Sequence, residues 1–180
     1  MRIIAGKHKG RRIDCPPGDA IRPTSDMLRG AVFNILNFNV DWENSNVLDL
    51  CCGTGAFGIE ALSRGAKFVT FIDSGREALE TTRHNLEKIK EDGKHEILSC
   101  SAENLPAAKR QYAVSYIDPP YSSGVVPKAL KALKEKNWIA DGAHILAEIA
   151  EREKFTAPEG FELKDARRYG NSKLLILKLI

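Results

Sequence analysis

Two short stretches of this 180-residue chain combine residues whose types and spacing suit chemistry: Asp118-Pro119-Pro120-Tyr121 and Leu48-Asp49-Leu50-Cys51-Cys52-Gly53-Thr54-Gly55. Each lies at the end of an apolar, strand-like run. In the first, two prolines fix φ and stiffen the turn. The Asp118 carboxylate and a backbone carbonyl, that of Pro119, then become two fixed acceptors. An exocyclic amine on a planar base has two hydrogens to give them. Such an amine on a purine is a poor nucleophile because its lone pair is delocalised into the ring. Two acceptors orient it and stabilise the positive charge that grows on nitrogen during attack. Tyr121 would stack on the base face. A base presented this way has left its helical stack, by flipping or because it lies in a loop. The plain alternative for the tetrapeptide is a proline turn with a capping Asp.

The second stretch opens Gly53-x-Gly55-x-x-Gly58, with Asp73 at the end of the next strand-like run. As written this is a dinucleotide fingerprint, so an NAD-dependent oxidoreductase is a real rival. Asp49 argues against it. A carboxylate just before the loop would repel a pyrophosphate, whereas it favours the sulfonium and α-ammonium of S-adenosylmethionine (SAM). The methionine carboxylate of SAM suits backbone N–H groups near a helix start, and the glycines serve close backbone approach. Asp73 would accept from ribose hydroxyls under either reading. The two motifs together describe methyl transfer to nitrogen.

These residues need a scaffold. Residues 47–50, 68–72, 96–100, 113–117 and 143–148 read as strands, alternating with helices over 56–63, 76–90 and 126–134. Such alternation with short connections predicts a mostly parallel sheet covered on both faces. Residues 161–168 and 174–180 read as an antiparallel hairpin around Gly170-Asn171. Upstream, residues 2–5 and 11–13 read as a small hairpin with a basic tip. Pro16-Pro17-Gly18 ends it, and Thr24 or Ser25 caps a helix running to about Leu36. Residues 1–22 are therefore expected to form a basic β-hairpin extension, too small to fold alone, on a single domain spanning 23–180.

Composition fits a soluble globular protein, with 43% hydrophobic and 28% charged residues. No apolar run reaches the roughly 18 residues of a membrane span, and the N-terminus lacks a signal-peptide apolar region, so a cytoplasmic address without membrane contact is expected. The four cysteines form no CxxC pair or Cys/His cluster, which leaves no metal site and gives them packing roles. The net charge of +3 is uneven, because residues 1–29 hold seven Lys/Arg against three Asp. A basic arm on a near-neutral body suggests phosphate contact. The scattered histidines, and Trp42 and Trp138, are expected to pack or lie on the surface. The mixed charges of 88–94 read as an exposed helix end.

With these residues placed, the chain resembles the bacterial 16S ribosomal RNA guanine-N2 methyltransferases that modify guanine 966 of the small subunit. The resemblance covers nearly the whole length. Its specific parts are Arg2-Ile3-Ile4-Ala5-Gly6-Lys7-His8-Lys9-Gly10-Arg11 and Arg22-Pro23-Thr24-Ser25-Asp26 with Arg29, Phe33 and Asn34. Residues 60–66 and Tyr169-Gly170 also fit. It implies a Rossmann-like class I methyltransferase fold, an α/β protein with a seven-stranded sheet whose last strand is antiparallel. SAM would be held by Asp49, Cys51, Gly53, Thr54, Gly55, Asp73, Ser101 and Ala102. Asp118, Pro119, Pro120 and Tyr121 would form the catalytic turn. Lys7, Lys9, Arg11 and Arg12 would grip RNA phosphates, with Arg22 and Thr24 near the cleft. The implied partner is 16S RNA in the small ribosomal subunit or its assembly intermediate, met by a monomer. The chain departs from the family at Ser101, where an Asp often contacts the adenine amino group; Glu103 is a substitute without an assigned place. Rival acceptors on the same fold are adenine N6 in DNA or RNA and protein glutamine. The non-enzymatic rival is a ribosome-assembly factor with a vestigial SAM site.

Overall fold

The computed structural model describes residues 1–15 and 26–180. Its elements in chain order are α1 (Asp26–Leu36), β1 (Asn46–Leu50), α2 (Ala56–Ser63), β2 (Phe68–Asp73), α3 (Arg76–Ile89), β3 (His95–Ser99), β4 (Tyr112–Ile117), α4 (Val125–Glu135), β5 (Ile139–Ala150), β6 (Phe161–Tyr169) and β7 (Ser172–Leu179). The seven strands form one sheet in the order β3-β2-β1-β4-β5-β7-β6. The first five are parallel, and β7 runs antiparallel between β5 and β6. This is the α/β sheet expected from the alternation, with its antiparallel last strand. Among the described residues no helix is long and apolar enough to cross a membrane.

The helices follow from their apolar stripes. In α3, Ala78, Leu79, Thr82, Asn85, Leu86 and Ile89 turn inward at i, i+3 and i+4 spacing. Lys90, in the left-handed conformation, ends that helix one residue earlier than the periodicity suggests. In α2 all eight residues are buried, so no stripe is visible. Gly58 explains its close seat: a Cβ there would lie 2.3 Å from the Phe71 ring of β2. Strands β1, β2 and β4 are covered on both faces, which is why they read as continuous apolar runs.

Three expectations change. Strand β5 starts at Ile139 rather than Ala143, because its early residues pair with β4 across a register shift between Tyr112 and Val114. The tryptophans do anchor packing, but Trp138 is core: it stacks on Tyr112 at 5.3 Å and donates Nε1–H to the Pro106 carbonyl. The N-terminal hairpin closes through Ile3 N–H to the Arg11 carbonyl, Gly10 N–H to the Ile3 carbonyl and Ile13 N–H to the Met1 carbonyl, but its strands shrink to the single bridge of Arg2 with Arg12. The rest of its backbone docks on α2. The N–H groups of Ile4 and Ala5 go to the Glu60 carboxylate at 2.6 and 2.9 Å, and that of Lys7 goes to the Ser63 carbonyl. Ile3 and Ile13 enter the same apolar core as α1, α2 and α3. The loop 16–18 and the caps Thr24 and Ser25 lie outside the described residues.

Candidate active site

A cleft of about 610 Å³ opens at the carboxyl ends of the parallel strands. It sits where strand order reverses between β1 and β4, the position at which open α/β sheets bind ligands. Both motifs meet there. Asp49 on β1 pairs in register with Tyr116 on β4, and the Asp118 N–H donates to the Leu50 carbonyl at 3.1 Å. The cleft is lined by Asp49, Cys51, Gly53 and Thr54 on one side and by Asp118, Pro119, Pro120 and Tyr121 on the other. Asp73, Ser101 and Ala102 complete the wall. Gly55 lies behind it: the residue has φ +75°, and a Cβ would press on Thr82 at 2.9 Å.

The loop after β1 is held in an unusual shape. Cys51, Gly53 and Gly55 all have positive φ, at 61°, 54° and 75°. For Cys51 this is a sparsely populated conformation, of the kind found where a site is pre-shaped. Asp73 helps fix it, since its Oδ2 accepts the Gly53 N–H at 3.0 Å and its Oδ1 the Gly75 N–H at 2.8 Å. Both oxygens keep further lone pairs for a ligand hydroxyl. The thiols are not poised for reaction. Burial raises Cys51 and Cys52 well above the ordinary thiol range and raises Cys100 too.

Asp49 is 2% exposed and accepts one hydrogen bond, from the Gly58 N–H at 2.9 Å. Burial, reinforced by Asp73 nearby, pushes its carboxyl up to about 8 despite that bond. No salt-bridge partner faces it among the described residues. A buried carboxylate lacking a cation, at the edge of a cleft wide enough for a cofactor, fits a positively charged ligand. A pyrophosphate would meet Asp49 and Asp73 together. The donor set thus suits SAM.

Ser101 lines the cleft and its Oγ accepts the Glu103 N–H at 3.2 Å. Glu103, the candidate substitute, is instead paired with Lys128 at 2.9 Å and is not part of the wall. The basic arm docks on α2 and α3, away from this wall. Lys7 pairs with Glu91 at 2.8 Å, Arg11 donates to the Lys88 carbonyl, and Arg12 sits 3.8 Å from Asp14. Lys9 is exposed. Arg22 and Thr24 lie outside the described residues.

Two buried acids escaped the sequence reading. Glu91, in the stretch expected to be solvated, is covered by Lys7 and His8 of the arm, with His8 Nε2 at 2.6 Å. Glu148 lines the cleft and takes hydroxyl hydrogen bonds from Tyr116 and Tyr121. Its signal was a lone acid in the otherwise apolar run 145–149, at the strand end where sites lie.

The chain matches, over residues 1–178, the family model described as Conserved hypothetical protein 95. The Escherichia coli (strain K12) protein named Ribosomal RNA small subunit methyltransferase D is 32% identical over 149 residues, covering 82% of this chain and 74% of its own length. The Haemophilus influenzae protein of the same name is 30% identical over 174 residues, covering 94% and 89%. Among solved structures, the Escherichia coli protein yhhF superposes with a TM-score of 0.85 at 28% identity, covering 99% of this chain and 97% of its own. With its topology, its cleft and these relatives, the chain belongs to the family described as Conserved hypothetical protein 95 and to the small-subunit ribosomal RNA methyltransferase D family of class I methyltransferases.

Proposed function

We propose that this protein transfers a methyl group from SAM to the exocyclic N2 of a guanine in 16S ribosomal RNA. The RNA is presented by the small ribosomal subunit or its assembly intermediate, and the enzyme acts as a cytoplasmic monomer. The observation that carries the reading is the meeting of a buried, cation-lacking Asp49 and the Asp118-Pro119-Pro120-Tyr121 turn in one cleft. SAM supplies an electrophilic methyl on sulfonium when bound. Asp49, Cys51, Gly53, Thr54, Gly55, Asp73, Ser101 and Ala102 form its holding set. Asp49 provides the compensating negative charge, and Asp73 the hydroxyl acceptor.

Asp118 and the Pro119 carbonyl accept the two amine hydrogens of the flipped base and aim its nitrogen. Asp118 also stabilises the charge that grows there, and the departing proton leaves to it or to water. Tyr121 gives the base a stacking wall. Residues 1–22 serve as the RNA grip on a catalytic domain of residues 23–180. Lys7, Lys9, Arg11 and Arg12 make phosphate contacts, with Arg22 and Thr24 nearer the base.

Asp118→Ala tests the mechanism. The variant is expected to bind SAM within about twofold of the parent and to lose at least about a hundredfold in transfer, the scale of removing one oriented electrostatic partner. Full activity in that variant would exclude the mechanism.

A further inference from the structure

Glu148, near the carboxyl end of β5, is 4% exposed and faces the cleft between Tyr116 and Tyr121. The transfer chemistry above gives it no task. Its oxygens are divided between two walls. Oε2 accepts from the Tyr116 hydroxyl at 3.2 Å. Oε1 accepts from the Ser172 hydroxyl at 2.6 Å and from the Tyr121 hydroxyl at 3.2 Å. The Tyr121 and Ser172 hydroxyls are themselves 2.5 Å apart.

The hydrogens can be placed without conflict. Tyr116 and Ser172 donate to the carboxylate, and the single Tyr121 hydroxyl hydrogen is shared between the Ser172 oxygen and Oε1.

This cluster is fastened to paired strands and packed rings. Ser172 pairs with Ala150, and Glu148 with Leu174, in the β5–β7 ladder. Tyr116 is backed by Phe57 at 4.4 Å, and Phe57 by Phe33 at 5.0 Å, an aromatic column running from α1 to β4. Tyr121 is thus held at both ends, by the two prolines before it and by its hydroxyl. Held only at the backbone, its ring would swing, and a base stacked on it would swing relative to Asp118.

We infer that Glu148 and Ser172 are positioning residues that clamp the Tyr121 hydroxyl and so fix the base-stacking wall relative to Asp118. The inference rests on the base-methylating reading. The clamp acts on orientation and hence on kcat. The residues that hold SAM belong mainly to β1, β2 and the loops that follow them, so its binding is left alone.

The test uses Ser172→Ala, Glu148→Gln, Tyr121→Phe and the Tyr121→Phe/Ser172→Ala pair in the full chain. Each single variant is expected to lower kcat on small-subunit particles by about tenfold, the scale of a modest misplacement. KM and the SAM Kd should stay within about twofold. The pair should be no worse than Tyr121→Phe alone, because both remove one clamp. In parallel, NMR of ring-labelled tyrosine should show slow flipping of the Tyr121 ring in the parent and averaging in Ser172→Ala. Unchanged kcat in the folded variants, effects that multiply in the pair, or a Tyr121 ring indifferent to Ser172→Ala would each overturn the clamp. A ring that responds as expected in a parent that methylates no particle would leave the clamp standing and remove the substrate reading.

Discussion

A carboxyl group raised to about 8 by burial, as at Asp49, ties ligand binding to pH. The native protein keeps a proton there that the unfolded chain has released above its ordinary value of 3.8, so this group's contribution to stability is fullest below that value and is lost as pH rises towards about 8. A cation beside Asp49 reverses the preference and expels the proton. SAM affinity is therefore expected to rise with pH by up to about tenfold per unit between roughly pH 6 and 7, with proton release on binding, both measurable by calorimetry in buffers of different ionisation enthalpy. Asp49→Asn should weaken binding and flatten that dependence. An equally flat profile in the parent would mean that Asp49 does not face the cationic part of the ligand.

At the scale of elements, the N-terminal arm shows how short segments are fixed by what they touch. Gly6 has φ +83°, and a Cβ there would lie 1.8 Å from the Ser63 carbonyl oxygen of α2. Gly6→Ala is expected to cost about 1–3 kcal/mol in denaturant unfolding and to weaken RNA binding while sparing SAM binding; loss of SAM binding would tie the arm to the cofactor side instead. Glu91 belongs to the same seat. Its burial alone would raise it, but hydrogen bonds from Lys7 and His8, with Lys94 nearby, outweigh that and bring it down to about 2. Its stabilisation is present above its ordinary value of 4.5 and lost as the pH falls towards about 2. Glu91→Gln should lower stability at neutral pH and remove that share of the acid dependence, as read from unfolding midpoints across pH.

The arm was half legible in the sequence. Its basic tip and glycines were visible, but the hydrogen bonds that dock it go to Glu60 and Ser63, over fifty residues away, and no local pattern shows such partners. The helices α2 and α3 and the strands β1, β2 and β4 were legible to within a residue or two, because burial on a sheet imposes its period on the chain. The two motifs were legible because turns at strand ends demand particular residues. Glu148 was not, since its meaning lies in hydroxyls brought from β4, the following turn and β7.

For the whole molecule, positive charge is concentrated in residues 1–29 while the rest is close to neutral, and on the proposed reading this separates holding the RNA from reacting with it. Reversing Lys9 and Arg12, both exposed, should weaken particle binding for any sequence and reduce the salt slope by about one per lost phosphate contact. An unchanged slope would place the grip elsewhere. The sheet places Asp49 and Asp73, on β1 and β2, and the Asp118-Pro119-Pro120-Tyr121 turn after β4 around one cleft at the switch point. That arrangement makes a single outcome decisive. The measurement to make is methyl transfer from labelled SAM to small-subunit particles from cells lacking this protein, followed by nucleoside analysis of the 16S RNA. N2-methylguanosine is the expected product; N6-methyladenosine, or no transfer by a protein that binds SAM, would contradict the assignment of a guanine amine as acceptor.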